Sequence, residues 1–316
     1  MKSLFAFVLA ALIALPAFTQ EDSVIVIQEE IITVFEDSDN TVVSVGPEET
    51  LIIDENQDTT RIKVGKKSII IIEGGKGTQV NIEDVEEETE EDFDFDSDDE
   101  DCDDEDNGKF KPHWAGFEMG LNNYMNNSGS MSLDNSMSFM DLNTSRSWNF
   151  NLNFMDYGFG LGSDKIGLVT GLGFEWNNYH FDNPSSIKEV DGVIEELPLT
   201  YTDIKKNRLQ TTYLRAPLLL EFQIPAGSKR IYLSAGPVAG VKLGSNTKIV
   251  YKENGDEQDL KNKDDYNLSP LRYGFTARAG YRGLRLYANY YMTPLFEANK
   301  GPELYPFSVG ITLLDF

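Results

Sequence analysis

The sequence of 316 residues contains a single cysteine, two histidines, and only 27 basic residues against 53 acidic ones. Because Cys102 has no second cysteine to pair with, packing and hydrogen bonds must hold the fold together. The formal net charge of −26 argues against a nucleic-acid partner, since phosphate binding needs clustered Lys and Arg. After residue 20 there is no apolar run of the roughly 20 residues that a membrane-spanning helix requires.

The N-terminus has the layout of a secretory signal. Lys2 supplies the positive start, residues 4–18 are apolar, and small residues precede Gln20. This order predicts a signal peptide over residues 1–20, cleaved next to Gln20, and therefore an exported protein. A retained membrane anchor is the alternative, which the short apolar run disfavours.

The negative charge is concentrated in one segment. Between Glu83 and Asp106 there are 18 acidic residues and no basic one; subtracting these 18 charges from −26 leaves −8. Like charges at this density repel one another and bury little apolar surface, so residues 83–108 are predicted to be a disordered linker. The preceding residues 21–82 carry short β-prone runs between turn residues and are predicted to form a small β-rich module in the periplasm.

The acidic run also contains a weak candidate for a calcium loop. Its ligands would be Asp94, Asp96 and Asp98, with Glu105 at the twelfth position. However, Asp99 stands where such a loop requires glycine, and no flanking helices are predicted. A solvated spacer is the preferred interpretation, and no cofactor is predicted.

Residues 109–316 show the period-two alternation that indicates β-strands. The connections between the candidate strands alternate between short and long, which is typical of transmembrane barrels. We therefore predict an all-β fold with an eight-stranded antiparallel transmembrane β-barrel. The eight candidate strands are 114–124, 146–158, 165–180, 208–223, 229–244, 271–282, 284–294 and 305–316.

One face of these strands is apolar and the other carries glycine with charges of both signs. The interior of eight strands is just wide enough to be filled by side chains, so we expect the apolar face to contact lipid and the charged face to form an ion-paired lumen. Aromatic residues near strand ends, among them Trp114 and Tyr213, are expected to form interfacial girdles. The predicted lumen network comprises Glu118, Glu175, Arg215, Glu221, Lys242, Arg272, Arg278 and Arg285.

The alternation breaks phase at two places. In the second candidate strand the break falls at Met155, and in the last one it falls just before the terminal Leu314 and Phe316. A β-bulge at each place would restore the pattern. For the second strand, an end of the strand at this point is an equally good explanation.

Three segments carry a resemblance to a known family: HWAGFEMGLNN at 113–123, GLGFEWNNY at 171–179 and LRAPLLLEF at 214–222. They resemble the PorT-like family of outer-membrane β-barrel domains over about residues 109–316. The closing Leu314-Asp315-Phe316 is similar to the terminal aromatic signal by which such barrels are recognised for assembly, with Phe316 as its last residue. The resemblance implies a location in the outer membrane of a Gram-negative bacterium and says little about activity.

No catalytic constellation emerges from the sequence. The two histidines, His113 and His180, are expected at opposite rims of the barrel, and no serine pairs with either on one strand. We therefore expect a non-enzymatic protein that acts in binding, adhesion or envelope scaffolding through a periplasmic arm and long polar outer loops. These loops include residues 125–145 and the charged residues 245–269. Its expected partners are outer-membrane lipid, the barrel-assembly machinery and a periplasmic or extracellular protein. The alternatives are a component of a secretion or assembly machine, or a lipid- or peptide-modifying enzyme that uses the lumen carboxylates.

Overall fold

The computed structural model describes two parts of the chain. The first consists of seven strands between residues 23 and 84, and the second of residues 110–314 apart from 202, 228, 254 and 255. By their contacts the two parts belong to separate compact units, with a division at residue 96. The signal peptide, most of the acidic linker with its calcium candidate and Cys102, and the terminal Phe316 lie outside the described residues.

The N-terminal unit contains a seven-stranded antiparallel sheet in which each strand pairs with its neighbours in sequence. Six of its strands coincide with the β-prone runs of the sequence, whereas the seventh was missed and extends past the predicted end of the module at residue 82. The strands are β1 (Ser23–Ile27), β2 (Glu30–Glu36), β3 (Asn40–Val45), β4 (Glu48–Asn56), β5 (Thr59–Val64), β6 (Lys67–Gly74) and β7 (Gly77–Asp84).

The second unit is a closed antiparallel barrel, which confirms the predicted all-β fold. Eight strands form a continuous ring, because the first barrel strand pairs with the last and the two longest strands pair with each other. None of the helical segments in the described ranges has the length and hydropathy that a membrane-crossing helix needs. In ring order the strands are β8 (Gly116–Asn126), β9 (Trp148–Ser163), β10 (Ile166–His180), β13 (Ile204–Ala226), β14 (Lys229–Glu253), β16 (Leu271–Tyr281), β17 (Leu284–Tyr291) and β18 (Leu304–Leu314).

The long connections are more ordered than the sequence predicted. The segment 181–207 contains a hairpin of β11 (Ser185–Val190) and β12 (Val193–Pro198), which turns at Asp191-Gly192 with positive φ at both residues, as a two-residue hairpin loop requires. The segment 245–270 was expected to be a charged loop. It is instead largely strand, because β14 continues to Glu253 and returns as β15 (Asp256–Lys263).

Both phase breaks coincide with β-bulges. The register between β9 and β10 shifts at Met155, whose φ of 55° lies in the left-handed region. The register between β18 and β8 shifts between Thr312 and Leu314. The prediction of a bulge is therefore confirmed at both positions, and the strand-end alternative for β9 is wrong because β9 continues to Ser163.

The outer wall of the barrel is apolar. On β13, β16, β17 and β18, every second residue is an aliphatic or aromatic side chain that points away from the lumen. The inward positions of the same strands carry mostly glycine, polar and charged residues, among them Arg215, Arg278 and Ser308, so the predicted orientation of the two faces holds. The exposed fractions of the outward residues lie between 38% and 62% for Leu218, Leu220, Phe222, Ile224, Leu271, Tyr273, Phe275, Leu284, Leu286, Val309 and Ile311.

Candidate functional site in the barrel lumen

The middle of the lumen contains a network of two carboxylates and three guanidinium groups, which we call the lumen network (Glu118, Glu175, Arg215, Arg272 and Arg278). Each of these residues is at most 5% exposed. Because an isolated buried charge is unstable, close pairing is the condition for such groups to remain ionised.

Glu118 binds two arginines at once. Its Oε2 accepts a hydrogen bond from Arg215 Nη2 at 3.0 Å, and its Oε1 accepts one from Arg278 Nε at 3.0 Å. Glu175 Oε2 lies 2.9 Å from Arg272 Nη2 and 3.5 Å from Arg215 Nη1. Arg215 therefore bridges the two carboxylates and joins both halves of the network.

Strand register explains why these residues meet. Glu118 on β8 and Glu175 on β10 both lie opposite Asn151 of the intervening β9, so the two carboxylates share one row on one side of the lumen. Arg215 comes from β13, which pairs with β10, whereas Arg272 and Arg278 come from β16, across the narrow interior. Side chains that alternate inward on facing strands of an eight-stranded barrel are within reach of one another.

Three predicted members of the network are bound elsewhere or lie at its margin. Glu221 Oε1 lies 2.7 Å from His113 Nδ1 and accepts a hydrogen bond from Gln223. Lys242 binds Asp265, close to the long connections, instead of a lumen carboxylate. Arg285 is half-buried on the inward face of β17. Their positions along the strands place them nearer the ends of the barrel than its centre.

The segment Phe110–Trp114, which we call the plug, lies inside the barrel at the end where the short turns are located. Trp114 is 2% exposed and packs with Val169 and Leu219 on inward positions of the wall. Its indole Nε1 donates a hydrogen bond to the carbonyl oxygen of Leu172 at 3.2 Å. The expectation that Trp114 forms part of an interfacial girdle is therefore wrong. It is also wrong for Tyr213, which is 1% exposed and contacts Arg272 of the lumen network.

Inward glycines make room for the plug. A Cβ at Gly167 would lie 2.5 Å from the ring of Phe110, and one at Gly171 would lie 2.5 Å from the ring of Trp114. Gly158 and Gly160 also face Phe110 closely. The concentration of glycine on the inward face at one end of β9 and β10 was the signal in the sequence that could have indicated the plug.

Polar contacts hold the plug at the mouth of the barrel. The His113 ring stacks on Tyr232, with 4.4 Å between ring centres and 9° between planes. Gln223 Nε2 donates a hydrogen bond to the carbonyl oxygen of Lys111 at 2.5 Å. Hydrogen bonds, ring stacking and the burial of Trp114 thus hold the plug in place.

At the opposite end, the long connections fold over the barrel and form a second hydrophobic core, which we call the cap. The cap takes residues from all four long connections and from the adjoining strand ends. It closes the end at which sequence reasoning expected open polar loops. Its buried members are Tyr124, Phe139, Met140, Tyr179, Phe181, Ile187, Ile194, Leu209, Tyr266, Leu268, Leu295, Phe296 and Leu304.

Comparison with protein-family models gives one match. The model of the outer membrane protein beta-barrel domain matches residues 114–297, which is more than half of the chain. The chain belongs to this family. The matched range includes the whole lumen network and the Trp114 end of the plug. Curated proteins and solved structures were also compared with the chain, and neither comparison gave a significant match.

In this outer membrane protein beta-barrel domain, the two histidines lie far apart. His113 contacts Glu221 near the short turns, whereas His180 is the last residue of β10 and pairs in register with Arg208 near the cap. Across the described residues, no three His, Cys, Asp or Glu side chains come together in a way that could hold a metal ion.

Proposed function

We propose that this outer-membrane barrel is a non-enzymatic binding or scaffolding protein of the cell envelope. The proposal rests on how the lumen is filled. The plug occupies one end, ion pairs occupy the middle and the cap covers the other end. Eight strands leave little interior space, so the surfaces available to a partner are those outside the lumen.

The proposed orientation places the short turns in the periplasm and the cap outside the cell, as is usual for barrels with this asymmetry of connections. The N-terminal module would then lie in the periplasm. To test this, Asp134→Cys and Ser163→Cys are each made in a Cys102→Ser background and treated with a membrane-impermeant maleimide on intact cells. We expect label at position 134 only, and the reverse pattern would contradict the orientation.

Exposed apolar side chains near the cap are where a partner would bind, since loops on a rigid scaffold usually carry binding. Met131 is 60% and Val193 40% exposed. A photo-cross-linking residue at each position should yield protein adducts of defined mass in intact cells. The same residue at Leu286, on the lipid-facing wall, should yield none. If neither cap position gives an adduct, the cap is not a binding surface.

The N-terminal sheet favours a second candidate, a component of an outer-membrane secretion or assembly machine. The strand register places aliphatic positions of all seven strands on one face of the sheet. A sheet with an aliphatic face packs that face against another element, and a partner protein would supply one. These positions include Ile25, Ile32, Val34, Val43, Leu51, Ile53, Ile62, Val64, Ile69, Ile71, Val80 and Ile82.

The two candidates differ in where a partner binds. Cross-linking residues at Ile53 and Ile62 in the full chain should yield adducts if the sheet binds a machine component. Cap adducts without sheet adducts would favour the scaffold. An enzymatic function makes a third, distinct prediction, because Glu118→Gln, Glu175→Gln or Glu221→Gln would then abolish an activity while leaving the barrel folded. Under the proposed function the changes at Glu118 and Glu175 destabilise the barrel instead.

A further inference from the structure

A continuous series of contacts leads from the plug into the lumen network. The guanidinium carbon of Arg278 lies 4.2 Å from the centre of the Trp114 ring, and that of Arg215 lies 5.0 Å from it. Both arginines bind Glu118. Trp114 thus lies against the two cations that neutralise a single buried carboxylate, within range of cation–π attraction.

The series continues across the network to the other side of the lumen. Arg215 also approaches Glu175, and Glu175 in turn binds Arg272. The guanidinium carbon of Arg272 lies 3.5 Å from the centre of the Tyr213 ring and 3.9 Å from that of Tyr291. The position of Arg272 is therefore set by a carboxylate and by two aromatic rings.

Tyr213 connects this arrangement to the cap. Its hydroxyl donates a hydrogen bond to the carbonyl oxygen of Ser269 at 2.8 Å. Ser269 binds the segment between β17 and β18, because its Oγ donates to the Pro294 carbonyl oxygen at 2.7 Å and its amide donates to that of Leu295 at 3.0 Å. Leu295 is part of the cap core.

We propose that the barrel has a further function as a transmembrane coupling element, in which displacement of the plug changes the packing of the cap. Buried charges of opposite sign cannot separate one at a time without a large cost. Removing Trp114 from Arg215 and Arg278 therefore favours a rearrangement of all five network residues together. Such a rearrangement moves Arg272 and loosens the contact of Tyr213 with Ser269.

The position of the plug in the sequence supports this direction of coupling. Only Lys109 separates Phe110 from the predicted acidic linker, which in turn follows the N-terminal module. A pulling force on that part of the chain therefore acts on the plug before it acts on the barrel strands. The coupling requires no particular partner on either side. It therefore stands or falls separately from the proposed binding function.

The experiment measures amide hydrogen exchange of residues 266–269 and 293–296 in the full-length protein, reconstituted in lipid. Gly167→Ala displaces the Phe110 end of the plug, because its Cβ would lie 2.5 Å from the Phe110 ring. Gly283→Ala is the matched control, since it makes the same change in a short turn where nothing lies within 4 Å of the new Cβ. We expect exchange to rise on the order of fivefold or more in Gly167→Ala and to stay at the wild-type rate in Gly283→Ala.

An additional variant tests the route of the coupling. In an Arg272→Met background the middle of the series is broken, so Gly167→Ala should no longer alter exchange in the cap. If Gly167→Ala does not assemble, Trp114→Phe replaces it, because this change weakens the contact with both arginines without adding volume. Cap exchange that stays at the wild-type rate in the plug variant, or that rises equally with Arg272→Met present, overturns the proposal.

Discussion

Trp114 and Arg278 are in contact inside the barrel, with 4.2 Å between the guanidinium carbon and the centre of the indole ring. Trp114 precedes the first barrel strand, whereas Arg278 lies on β16, so the contact joins the entry of the chain to the opposite wall. One end of the lumen is therefore filled by a segment that is not itself a strand. We expect the stability of the barrel to depend on the charges next to this segment.

Replacement of Glu118 by Gln should strongly destabilise the barrel. The change removes the carboxylate that Arg215 and Arg278 share, and leaves buried cations short of a counter-charge, at a cost of roughly 3–5 kcal/mol. Urea unfolding of the reconstituted protein measures this loss. The control is Glu189→Gln on β11, an exposed carboxylate, which should change stability by less than about 0.5 kcal/mol. Equal stability of the two variants would contradict a structural role for the network.

Deletion of Met155 should leave the barrel able to assemble. Met155 is the extra residue of the bulge in β9, and its removal joins Phe154 directly to Asp156. Because side chains alternate across a strand, Tyr157 and Phe159 would still face lipid and Asp156 would still face the lumen. Met155→Leu keeps the bulge and serves as the control, and electrophoresis with and without boiling measures assembly of both variants. Failure of the deletion variant alone to assemble would show that the barrel needs the bulge itself.

Replacement of Tyr213 by Phe should loosen the cap while leaving the barrel assembled. The variant loses the hydrogen bond to Ser269 and leaves that carbonyl without this donor, at an expected cost of about 0.5–1.5 kcal/mol. Limited proteolysis of the long connections measures the effect. Tyr273→Phe, on the lipid-facing wall, is the matched control and should be cleaved at the wild-type rate. Equal cleavage of both variants would show that the hydrogen bond between Tyr213 and Ser269 does not stabilise the cap.

The stability of the cap should fall as pH rises above the ordinary pKa range of carboxyl groups. Burial, and then the nearby carboxylate of Asp182, raise the pKa of Asp141 above its model-peptide value of 3.8. The folded cap thus binds the proton of Asp141 more tightly than the unfolded chain does. The stability that this proton adds to the cap is present at low pH and is lost as pH rises through the raised pKa. Asp141→Asn should flatten the pH dependence of proteolysis, and Asp134→Asn should not.

The strands and their faces could be predicted because a membrane barrel imposes strict alternation. In β16, for example, Tyr273 and Phe275 must face lipid while Arg272 and Arg278 must face the lumen. Outside the membrane this constraint disappears. The residues of β15, Asp256–Lys263, have little intrinsic strand preference, and they adopt a strand because they pair with β14. That pairing could not be inferred from local pattern.

The plug could not be predicted for a related reason. Phe110 and Trp114 show no periodicity, and aromatic residues next to a strand end are commonly interfacial. Their contacts are with glycines and arginines more than 40 residues away in sequence, which only the closed ring brings together. Likewise, the pairing of Glu118 and Glu175 with three arginines depends on the register of β8, β9 and β10. The sequence indicates only that these residues face inward.

Residues 110–314 form a closed barrel, and its residence in the outer membrane is tested most directly by electrophoresis of carbonate-washed membranes with and without boiling in detergent. We expect the protein to remain in the washed membranes and to change mobility on boiling, since a closed barrel resists detergent until it is heated. Release into the carbonate wash, with identical mobility before and after boiling, would contradict it.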